Sequence, residues 1–168
     1  MLKRFTLAMT IASLLTGCAA QTVLVQASFD ADQAAALVKP GVNIVSGSAL
    51  IRQNGGGVVT CAGLPILLVP KTAYASERIK AIYGNTQRGH NPAYRAIQFE
   101  PDVQSYGRLQ RETLCDAQGN FSFNDVADGS FYVIANITWN VGGSIQGGGL
   151  MQAVTVSGGA SQEVVLSP

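Results

Sequence analysis

Cys115-Asp116-Ala117-Gln118-Gly119-Asn120-Phe121-Ser122-Phe123-Asn124-Asp125-Val126-Ala127-Asp128-Gly129-Ser130-Phe131-Tyr132-Val133 reads as turn, strand, corner, strand. Asp116 and Gly119 are turn formers, one through its side-chain acceptor and the other through its backbone freedom. Phe121 and Phe123 then face one core, and Gly129 permits the corner before the next strand. Downstream, Phe131, Val133, Ala135, Ile137 and Trp139 share one face of that strand, while Tyr132, Asn136 and Thr138 share the other. The spacing puts Trp139 on the inward face.

Upstream, Val45, Ala49 and Ile51 alternate with Ser46, Ser48 and Arg52, and Asn54-Gly55-Gly56-Gly57 is a turn cluster. Leu64-Pro65-Ile66-Leu67-Leu68-Val69 is apolar without alternation, as a strand covered on both faces would be, and Pro70 ends it. Toward the carboxyl end, Leu150 to Val156 and Val164 to Leu166 are further strands. Gly142-Gly143 and Gly147-Gly148-Gly149 bracket a hairpin-like connection, and Ser157-Gly158-Gly159 marks a tighter one. Short strands at this spacing predict an all-β fold, an antiparallel immunoglobulin-like sandwich. The 168 residues fit one domain. With 47% apolar and 12% charged residues, wholesale disorder is excluded, and the 19 glycines lack the period of a collagen.

One segment departs from this pattern. Between Lys71 and Gln110, Ile79, Ile82 and Tyr83 recur at helical spacing, with Thr72 or Ser76 as cap and Gly84 as terminator. The expectation is one short helix in a long inter-strand insertion, followed by a polar, turn-rich run from Asn85 to Asn91. Tyr74, Tyr83, Tyr94, Phe99 and Tyr106 concentrate there, interleaved with Arg78, Arg88, Arg95 and Arg108, with Arg111 just beyond. Tyrosine and arginine are frequent interface anchors, and planar rings suit sugar stacking. Tyr74, Arg78, Tyr83, Arg88, Tyr94 and Arg95 are therefore the candidate binding surface. The competing expectation is that the tyrosines pack the helix onto the sandwich and the arginines stay solvated.

The quoted turn-and-strand segment is similar to the carboxypeptidase regulatory-like (transthyretin-like) repeat. That repeat runs aspartate, glycine, aromatic, any residue, aromatic, then a glycine and a strand with an early aromatic. Gly63 to Pro70 resembles its second strand, and Ala127-Asp128 departs from it where a proline often precedes the second glycine. The resemblance covers residues 43–168 and implies a prealbumin-like sandwich that does no chemistry and serves as a stabilising or docking module beside other domains. Transthyretin-like hydrolases use several histidines and a tyrosine-ending tail. This chain has one histidine and ends Val164-Val165-Leu166-Ser167-Pro168.

At the amino end, Met1-Leu2-Lys3-Arg4 is basic and Phe5 to Leu15 is apolar, too short to span a bilayer comfortably. Leu15-Thr16-Gly17-Cys18 follows and resembles the lipobox of bacterial lipoproteins. The resemblance implies a signal peptide over residues 1–17, acylation of Cys18, and a lipid bilayer as the first partner. Several acyl chains anchor where one would not, at about 0.8 kcal/mol per buried methylene. Ala19 is not the aspartate that resembles an inner-membrane retention signal, so the expected location is the outer membrane, facing the periplasm. Residues 18–42 form a lipidated lead-in, with a helix candidate from Asp30 to Val38 stopped by Pro40-Gly41. As a free tether it would reach roughly 25 Å, but its apolar content predicts that part of it docks.

With Cys18 acylated, Cys61 and Cys115 remain in an oxidising compartment and are expected to form one disulfide. Lys plus Arg is 11 and Asp plus Glu is 10, which gives no footprint for nucleic acid. His90, in a polar stretch, is the sole histidine; a catalytic triad or a zinc centre needs more partners than the chain supplies. Asp116, Asn120, Asn124, Asp125 and Asp128 crowd one region but lack the spacing of a calcium loop. No cofactor is expected. The functional expectation is a lipid-anchored, non-catalytic module that docks an unidentified envelope protein; the alternative is carbohydrate or cell-wall binding through residues 71–110.

Overall fold

The structure is a computed structural model that describes residues 21–168. Cys18 and the signal segment lie outside the described residues. The elements run β1 (Gln21–Leu24), α1 (Ala31–Val38), β2 (Pro40–Arg52), β3 (Val58–Thr60), β4 (Pro65–Pro70), α2 (Ala73–Tyr83), β5 (Arg88–Pro92), β6 (Ile97–Glu100), α3 (Gln104–Arg108), β7 (Arg111–Leu114), β8 (Asn120–Val126), β9 (Gly129–Val141), β10 (Ser144–Val156) and β11 (Ser161–Leu166).

Two sheets face each other, as the alternation requires. One is five-stranded, ordered β5-β10-β9-β4-β7, and antiparallel throughout. The other is built around the long strand β2, which pairs with β8 and then β3 on antiparallel registers and with β11 on a parallel one. Between them lies the main core. Val45 and Ile51 from β2 and Phe121 and Phe123 from β8 meet Ile66, Leu68, Phe131, Ile137 and Leu150 from the facing sheet. The sandwich expected from the sequence is therefore present.

The sheet of β9 is also covered on its outer face. Val69, Tyr132 and Met151 pack there against Ala75 and Ile79 of α2, forming a second, smaller core. This explains why Leu64 to Val69 is apolar without alternation: Ile66 and Leu68 face the sandwich, while Val69 faces the helix. Helix α2 begins at Thr72, whose hydroxyl oxygen accepts from the Ala75 amide at 3.2 Å, and ends at Gly84 with φ 71°. Both boundaries were legible in the sequence.

Other expectations are corrected in detail. The insertion contains a second helix, α3, and two strands, and the expected turn-rich run from Asn85 ends as edge strand β5, held by β10. The sheets are mainly antiparallel rather than wholly so, since β11 runs parallel to β2 and β1 parallel to β6. Gly147-Gly148-Gly149 lies inside β10, and Gly142-Gly143 alone makes the hairpin turn.

The lead-in docks. Strand β1 pairs with β6 in register from Gln21 opposite Ile97, and the Val25 amide donates to the Glu100 carbonyl at 2.9 Å. The Glu77 carboxylate on α2 accepts from the Gln26 and Ala27 amides at 2.9 and 2.8 Å, which hold its pKa below the usual carboxylate value. Asp30 caps α1 by accepting from the Gln33 amide. Among the described residues no helix is long and apolar enough to cross a membrane.

Candidate functional site

The two cysteines outside the lead-in form a disulfide, Cys61–Cys115, with Cα atoms 5.8 Å apart. It ties the turn after β3 to the end of β7. Beside it, the Asp116 carboxylate accepts from the amides of Gln118 and Asn120 at 2.9 and 2.8 Å. These bonds, led by that from Asn120, lower its pKa. Its neighbours serve the turn by the Asx geometry. Among the described residues no three metal-ligating side chains gather.

The structure divides the candidate surface of the insertion into two environments. Tyr74 is 1% exposed. Its ring packs edge-on against Tyr106 at 5.3 Å and against Phe29 from the lead-in at 5.4 Å. Its hydroxyl donates to the Pro101 carbonyl at 2.9 Å. Arg78 lies over this cluster, 4.0 Å from the Phe99 ring centroid and 4.8 Å from that of Tyr106, and pairs with Asp102 at 2.6 Å. Burial pushes the Tyr106 phenol up to about 12, and the Tyr83 phenol is raised by burial as well. These groups fasten residues 97–110 and the lead-in over α2. Arg111 likewise serves structure, donating to the carbonyls of Asn124 and Asp125.

Arg88, Tyr94 and Arg95 lie at the surface, and Tyr94 is 81% exposed. Tyr94 is the one aromatic of the insertion brought to a cleft of about 780 Å³ at one end of the sandwich. Its other walls come from far apart in sequence. The end of β2 and the turn after it supply Arg52, Gln53 and Asn54; the β9–β10 hairpin supplies Trp139, Ile145 and Gln146; edge strand β5 supplies His90.

Local sequence explains this assembly. Trp139 falls on the inward face, as its register predicts, but near the end of β9, where the facing sheet stops. It is therefore packed against the core on one side and half-buried rather than enclosed. Gly147, φ 84°, lies next to it on β10. A Cβ there would come within 2.7 Å of Trp139 Cζ3 and would collide with the Ile137 carbonyl, so glycine is what lets the indole come this close to β10. His90 faces the same side of the sheet as Leu150, its register partner, and its Nε2 is buried without a hydrogen-bond partner.

The cleft thus offers an indole, a phenol ring and several amide groups, with no carboxylate and no hydroxyl or thiol nucleophile other than the Tyr94 phenol among its lining residues. Glycoside hydrolysis by the common route needs a pair of carboxyl groups flanking the bond. The lining is suited to holding a ligand. Sequence reasoning named Tyr94 but placed the site within residues 71–110. The contributions of Arg52 at the end of β2, Asn54 in the turn after it and Gln146 near the start of β10 come together only through the sandwich topology.

A second, smaller cleft of about 290 Å³ lies between α2 and the outer face of the large sheet, lined by Leu67, Ile79, Ile82, Tyr83 and Ile134. It borders the second core and holds the Tyr83 ring.

No family model matches the chain, and comparison with curated proteins finds no match. Among solved structures, the chain is similar to PA1324 from Pseudomonas aeruginosa, a proposed carbohydrate-binding protein whose crystal structure was determined at 2.61 Å resolution. The match has a TM-score of 0.66 and 25% identity, and it covers 84% of this chain and 99% of that one. The two chains share the all-β sandwich.

Proposed function

We propose that this chain is a lipid-anchored, non-catalytic carbohydrate-binding module of the bacterial envelope, with its sugar site in the end cleft. The observation that carries the reading is that Trp139 and an 81% exposed Tyr94 line the same cleft, which is furnished with amides. Pyranose rings have apolar C–H faces that lie on aromatic rings and an equatorial rim of hydroxyls that suits Asn and Gln side chains. Laying roughly 80 Å² of apolar surface on the indole contributes about 2 kcal/mol, or about 30-fold in affinity. The similarity to PA1324 supports the same reading. Docking of an envelope protein, the first expectation from the sequence, rests on the family resemblance alone.

Trp139 is the sole tryptophan, so its emission reports on the cleft directly. Titration with oligosaccharides selected on a glycan array should shift that emission, and Trp139→Ala should lose about 30-fold in array-detected affinity. Retention of no glycan by the array, or full affinity in Trp139→Ala, would remove the proposal. The anchor is tested separately. A palmitate analogue should label the chain through Cys18, and Cys18→Ala should be unlabelled and soluble after cell lysis.

A further inference from the structure

The charge around the cleft is one-sided. Arg52 is the sole permanently charged residue of its lining, standing at the end of β2. It is exposed, and the ion pair found among the described residues is between Arg78 and Asp102 and does not involve it. Arg88 stands two residues before His90 on β5, hence on the same face and about 7 Å along the strand, and is also exposed. Arg95 follows Tyr94 at the surface. An arginine without a carboxylate partner keeps its planar fork available, and that fork matches a carboxylate in bidentate geometry. The buried Nε2 of His90 is a second polar atom on the same wall that lacks a protein partner.

We propose that the ligand of this cleft is an acidic oligosaccharide bearing carboxylates, of the uronic acid class, with Arg52 as the residue that selects it. The inference rests on the sugar-binding reading and deepens it. The aromatic pair holds the ring faces and is indifferent to charge. Arg52 discriminates, because a neutral sugar leaves its donors to water whereas a uronate engages two of them. Arg88 and His90 extend the polar wall along β5 toward the next sugar unit.

The test compares oligogalacturonate with the same oligomer after reduction of its carboxyl groups, using the full chain and Trp139 emission as readout. The expected result is roughly tenfold tighter binding of the acid form at low salt, a ratio that shrinks as salt is raised. Arg52→Gln should bring the ratio close to one, and Arg52→Lys should restore only part of it, since an ammonium lacks the fork. Thermal unfolding of both variants should match the parent, confirming that the loss is not one of folding. Equal binding of the two oligomers, or an unchanged ratio in Arg52→Gln, would overturn the selectivity while leaving the sugar site standing. Binding of neither oligomer, together with an array that retains neutral glycans only, would overturn it as well. An empty array would overturn the sugar reading itself.

Discussion

Asn43 is fully buried, and its amide joins three parts of the sandwich. Its Nδ2 donates to the Val126 carbonyl at the end of β8 and to the Asp128 carboxylate, both at 2.8 Å. Its Oδ1 accepts from the Gly159 and Ala160 amides in the turn between β10 and β11, both at 2.9 Å. Asn43→Ala removes all four bonds. The Val126 carbonyl, the most enclosed partner, costs about 1–3 kcal/mol when left unpaired, and the two turn amides, which regain some water, cost about 0.5–1 each. The expected loss, leaving the exposed Asp128 aside, is about 3 kcal/mol. For a domain of this size that corresponds to a fall of about 6–12 °C in melting temperature. Urea unfolding followed by Trp139 emission would measure it. Asn43→Asp is the sharper variant. It keeps the acceptors but turns the donor into a second carboxylate beside Asp128, so it should be at least as damaging as alanine at neutral pH and should recover partly on acidification. Unfolding free energies within about 0.5 kcal/mol of the parent for both variants would refute the view that this amide ties the end of β8 and the β10–β11 turn to β2.

Acid should weaken the fold through the same corner. Asp128, receiving bonds first from Asn43 and then from the Gly158 amide, and Asp116, receiving them first from Asn120, both have pKa values below the usual carboxylate value. Their stabilisation is complete above about pH 4, the unfolded value, and is lost as pH falls through the lower folded values. A pH series of melting temperatures should therefore drop in that acid range, and less steeply in Asp128→Asn. Replacing both Cys61 and Cys115 by serine opens a loop with a sequence separation of 54 and should cost about 4 kcal/mol in the chain-entropy treatment. Denaturation of the double variant against the oxidised parent would show it, and equal midpoints would count against the disulfide as a main source of stability.

Much of the sandwich was legible because its strands alternate or are uniformly apolar, signals that survive without knowledge of partners. Phe121 and Phe123, and the alternate residues Phe131, Val133, Ala135 and Ile137, are core residues for that reason. Helix α2 was legible through its two caps. The strands β5 and β6 were not: Arg88 to Pro92 is polar and turn-rich, and Ile97 to Glu100 alternates over only four residues, so each exists through pairing, to β10 and to β1. The same limit applies to the site. A tyrosine in a polar stretch, such as Tyr94, and a buried one, such as Tyr74, look alike in sequence. What separates them is which turns the topology brings alongside. Gly147-Gly148-Gly149 shows the converse: a glycine run suggested a turn, while its use is to let Trp139 and the backbone of β5 approach β10 closely.

The docking of the lead-in sets a distance. With acyl chains on Cys18, as we propose, three peptide steps reach Gln21 in β1, at most about 11 Å of extended chain. Gln21 lies opposite Ile97, and three further steps back along the chain from Ile97 lead to Tyr94 at the mouth of the cleft. The leash is thus short, and the mouth would be held within roughly 30 Å of the lipid headgroups. Such a module would sample only the layer of polysaccharide lying against its own membrane.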